Sequence, residues 1–68
     1  EMDMRVVNDL LAEIDAGNTL LVDPTDGTFN VWTMNEFGKT SMAPYEDVTL
    51  ATIAEVRARH PASVVIRG

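Results

Sequence analysis

Apolar residues follow two different rhythms along this chain. Val7, Leu10, Leu11 and Ile14 recur at i, i+3, i+4 and i+7, the spacing of one helical face. Arg5, Asp9, Ala12 and Glu13 fall on the other side. Asp3 suits the start of such a helix and Gly17 its end, so the spacing predicts a helix over 3–16. A second helical stretch lies in "DVTLATIAEVRARH", residues 47–60. Thr49 is its expected N-cap, and Val48 and Ile53 are placed to form a hydrophobic staple across that cap. Leu50, Ile53, Val56 and the stem of Arg57 or His60 form the expected inner stripe. Arg57, Arg59 and His60 suit the negative end of the helix dipole, and Pro61 stops the helix.

Elsewhere the rhythm is that of strands. "TLLVD" at 19–23 and "TFNVWTM" at 28–34 are rich in β-branched and aromatic types. "DPTDG" between them joins a proline, which presets a turn, to an Asp-Gly pair that accepts positive φ, so a hairpin is predicted. "NEFG" at 35–38 reads as a further tight turn, with Phe37 folding back as a lid. A short third strand is expected over 39–43, stopped by Pro44, and a last one over 63–67, "SVVIR".

The predicted order is α-β-β-β-α-β, or α-β-β-α-β without the third strand. That is an α+β fold, a small and mostly antiparallel sheet of three or four strands with two helices. No repeat, linker or low-complexity stretch interrupts it, and residues 1–68 read as a single domain.

Alternation sorts the strand residues onto two faces. Leu20, Val22, Phe29, Val31, Val64 and Ile66 share one face, which we expect under the helices. Leu21, Trp32, Met34 and Val65 share the other, with Met42 near them. A sheet with one solvated face should be polar there, and this one is apolar. Three arrangements would account for that. A partner or a second copy covers the face, a helix lies on each side of the sheet, or a loop around Tyr45 shields Trp32.

Composition narrows the functional classes. Apolar residues make up 46% of the chain and charged residues 24%, the balance of an ordinary globular domain. The net charge is −6 and unevenly placed. Residues 1–27 hold seven acids and one base, and residues 28–68 hold four of each. Phosphate backbones would repel such a chain, which argues against direct nucleic-acid binding and for a protein partner with a basic surface. There is no cysteine, so disulfides are excluded and a cytoplasmic setting is expected. No membrane span and no charged-then-apolar secretory stretch is present in these residues.

Chemistry is sparse. His60, the single histidine, sits beside Pro61 at a predicted helix end, where a cap or half-buried role is expected. Ser41 and Ser63 have no evident partners for a nucleophilic triad. Asp23, Asp26 and Gly27 suggest a calcium loop only in part: Thr25 replaces the second acid and Met34 stands where the closing Glu belongs. We expect no metal, no cofactor and no enzymatic activity.

The αβββα part of this order also occurs in double-stranded RNA-binding domains and in small RNA-cleaving toxins. Those use a lysine-rich helix start or a histidine on the sheet, and neither is present here, so this remains the alternative reading. The leading expectation is a small acidic protein-binding module, an inhibitor or accessory protein of the kind phages and mobile elements encode. Its candidate contact residues are Leu21, Trp32, Met34 and Val65 on the sheet, and Asp9 and Glu13 on the first helix, whose unpaired acids could act as a phosphate-like surface. A homodimer through the second sheet face is the other partner expected.

Overall fold

The computed structural model of this chain describes residues 2–68; Glu1, counted among the acids above, lies outside them. Helix α1 spans Met4–Asp15. The Asp3 carboxylate accepts the Arg5 N–H at 2.9 Å and supplies the cap the sequence predicts. At the other end Gly17 takes φ 93°, a conformation that costs a residue with a Cβ but not glycine. Its N–H donates to the Ile14 carbonyl, and the Asn18 N–H donates to that of Glu13. This pair of bonds is a Schellman stop, which satisfies carbonyls the helix would otherwise leave open.

Strands β1 (Thr19–Pro24) and β2 (Phe29–Met34) form the predicted antiparallel hairpin. Gly27 supplies a positive φ in the turn between them. Strand β3 is Tyr45–Val48, not the expected 39–43. Only an isolated bridge from Met34 to Thr40 forms in that earlier stretch. There the Thr33 N–H donates to the Ser41 hydroxyl at 3.1 Å, so a side chain replaces part of a ladder. In β3, Tyr45 pairs with Val31 and Val48 with Phe29, across a register shift. Glu46 and Asp47 together oppose Asn30, which is a β-bulge, and Asp47 takes φ 54° within it.

Helix α2 covers Leu50–Arg59, capped by Thr49, whose hydroxyl accepts the Thr52 N–H. Leu50 points to solvent rather than into the expected stripe. Thr52 is buried in its place, with its hydroxyl bonded to that of Thr49. A short 3-10 turn, Pro61–Ser63, leads into β4, Val64–Ile66. The sheet order is β3-β2-β1-β4, with β4 parallel to β1. The fold is therefore α+β with a four-stranded mixed sheet.

One apolar cluster joins all the layers. It contains Val7 and Leu10 of α1, Ile53 and Val56 of α2, and Leu20, Val22, Val31, Val48 and Val64 of the sheet. Every one of these strand residues belongs to the face on which Leu20 and Val22 lie. Both helices thus pack on the same side. The arrangement with one helix on each face does not occur. Burying each such side chain contributes about 1.5–3 kcal/mol. Ile66 shares the parity of this face, yet it remains 41% exposed on the edge strand instead of lying under the helices.

Candidate functional site

The opposite face of the sheet carries no helix. Strand pairing sets Leu21 between Trp32 on β2 and Val65 on β4. These three form a row across the three strands, close enough for direct side-chain contact. Met34 is two residues beyond Trp32 and pairs with Thr19. Leu21, Trp32 and Met34 are half-buried by their neighbours. Val65 is 45% exposed. The four sheet residues named from the sequence therefore do come together on one surface.

Two proposed covers for this surface are absent. Tyr45 pairs with Val31 and packs against the core on the helical side, so it does not shield Trp32. Phe37 does not fold back: it is 85% exposed at the tip of its turn. That turn is nonetheless well tied. The Asn35 side-chain oxygen accepts the N–H groups of both Phe37 and Lys39, and the Gly38 N–H donates to the Asn35 carbonyl. Met42, in the same connection, is 100% exposed.

Asp9 and Glu13 lie in the helical layer, away from this row. Asp9 is exposed. Glu13 commits both carboxylate oxygens internally. One accepts from the Asn18 amide at 2.9 Å and the other from the Tyr45 hydroxyl at 3.2 Å. The second bond ties α1 to the far edge of the sheet across 32 positions of sequence. Burial raises the Tyr45 pKa above its ordinary 10.0, and the hydrogen bond and negative charge of Glu13, with the charge of Asp9, push it the same way.

Polar groups frame one end of the row. Asp23 pairs with Asn30 across the hairpin and forms an ion pair with Arg67 at 3.6 Å. The Thr28 hydroxyl donates to Asp47 at 3.5 Å. Sequence reasoning missed this acidic corner, because it placed residues 44–48 outside the sheet.

His60 closes α2 through its backbone, with its N–H bonded to the Val56 carbonyl and its own carbonyl accepting from Ser63. Among the described residues no group of His, Cys, Asp or Glu is arranged to hold a metal ion. Among the same residues no helix is long and apolar enough to cross a membrane. A shallow depression lined by Met2, Asp3, Met4 and Arg5 is open to solvent.

No family model, curated protein or solved structure matches this chain.

Proposed function

We propose that this chain is a small acidic protein-binding module that acts by contact, as an inhibitor or accessory protein, with the Leu21–Trp32–Val65 row as its docking surface. The observation that supports this is the placement of both helices on one side of the sheet, which leaves an apolar row on the other with no helix over it. A contiguous apolar surface on a small domain is costly to leave in water and commonly marks a site of association. Trp and Met are enriched in interfaces. The reading requires no catalytic group and takes the protein as cytoplasmic, with an origin in a phage or mobile element fitting its size and charge. Glu13, engaged twice within the chain, has little left to offer a partner, so the sheet face is preferred over the acidic helix.

The test compares immobilised chains in extract from the native host. The wild type and an Asp9→Asn variant should retain the same protein. A Leu21→Thr/Trp32→Thr/Val65→Thr variant, which places a β-branched residue suited to strands at each position, should lose it while keeping its circular dichroism. Equal retention by the triple variant would refute the docking role of the face.

A further inference from the structure

We infer that the segment this face receives is both apolar and basic, with lysine or arginine at the end that meets the β1–β2 turn. The inference rests on the docking reading above and adds the chemistry of the partner.

Charge along the face is graded. The middle row, Leu21, Trp32 and Val65, is uncharged. At the turn end, Asp23 and Arg67 largely cancel each other. Beyond them stand Asp26 in the turn and Glu46 and Asp47 in the β3 bulge, all three exposed. Glu46 and Asp47 stand opposite Asn30, a residue of the bare face, across the bulge. Among the described residues no salt bridge engages Asp26, Glu46 or Asp47. At the opposite end, beyond Met34, the turn offers Lys39 beside Glu36, which sum to zero. The face is therefore negative at one end and neutral along the rest.

The spacing is short. Asn30, opposite the bulge, lies two residues from Trp32, about 7 Å along the strand. A ligand that covers Trp32 brings its next residues against these acids. A neutral apolar ligand would leave them beside a dehydrating surface without counter-charges, which is unfavourable. Face to face, a second copy of this chain offers Arg67, already paired with Asp23, and Lys39 in the same turn as Glu36, and brings another −6 of net charge. A basic segment satisfies the acids, and the overall charge of the chain speeds its approach.

Trp32 is the single tryptophan, so its emission reports on this face alone. The probes are a two-heptad leucine/lysine peptide and its leucine/glutamate counterpart, both without tryptophan. The leucine/lysine peptide should shift Trp32 emission to the blue, saturably, with affinity falling as salt rises. The leucine/glutamate peptide should not bind. Glu46→Gln with Asp47→Asn should weaken binding about tenfold, the sum of two rim charges. Asn accepts the positive φ at position 47, so this pair preserves the bulge. Asp9→Asn with Asp15→Asn, which removes the same charge from α1, should change affinity less than about twofold.

Equal binding of the two peptides would overturn the inference. So would equal weakening by the α1 pair, which would mean that only net charge matters. A blue shift on concentrating the chain alone, with a doubled solution mass, would make a second copy the occupant and also overturn it. Failure of the docking reading would show separately, in the host extract, as full retention by the triple threonine variant.

Discussion

The middle rows of this sheet's two faces are both apolar and end in opposite circumstances. On one, Leu20, Val22, Val31 and Val64 lie under two helices and are nearly free of solvent. On the other, Leu21, Trp32 and Val65 stand one residue away in each strand with no helix above them. The difference comes from helix placement, not from strand composition. Alternation determines which side chains share a face, and the chain's crossovers determine which face is covered. With both helices on one side of the four-stranded sheet, this domain has no helix left for the other.

The sharpest test of the contrast truncates neighbours on opposite faces. Leu20→Ala should cost about 3 kcal/mol, because it opens a cavity in the core cluster. Leu21→Ala should cost under about 1.5 kcal/mol, because that side chain is already partly exposed. Urea denaturation of the two variants checks this, and equal losses would mean the second face is covered within the chain.

Tyr45→Phe probes the strap between α1 and β3. At neutral pH it should cost about 1 kcal/mol, the usual worth of such a hydrogen bond. The pH dependence has a definite sign. Because the folded-state pKa of Tyr45 is raised, its contribution is fully present below the unfolded value of about 10 and is lost as pH rises through the folded one. The stability gap between wild type and Tyr45→Phe should therefore narrow above about pH 10 in alkaline denaturation curves.

Thr49→Ala removes the α2 cap and the hydroxyl partner of buried Thr52 together. A loss of about 1 kcal/mol is expected in thermal or urea unfolding. The smallest effect belongs to the bare face. Val65→Thr should change stability by less than about 0.5 kcal/mol, as for a surface position, while reducing the tendency to associate. A loss as large as that for Leu20→Ala would remove the distinction between the faces.

Much of this architecture is legible from local chemistry. Asp3, Gly17, Thr49 and the Asp26-Gly27 turn each act within a few residues of their own position, and each does what the sequence predicts. The third strand is not legible because its bulge hides the alternation. Tyr45 and Val48 face the same side at a spacing of three, which resembles a helical rhythm more than a strand. Pro44, which reads as the end of a strand, precedes the start of one. The exchange of Leu50 for Thr52 in the core has a similar origin, since the Thr49 hydroxyl makes a buried threonine inexpensive. The apolar row itself follows from parity, but its exposure does not, because a sequence pattern does not say which layer lies above a strand. The acidic corner was lost along with the bulge that forms it.

Oxidative footprinting of the chain with and without the retained host partner addresses the central claim most directly. Trp32 and Met34 lie on the bare face, while Met4, 49% exposed on α1, serves as an internal control. The account predicts that partner binding slows oxidation of Trp32 and Met34 and leaves Met4 unchanged. Protection of Met4 with undiminished oxidation of Trp32 would contradict it.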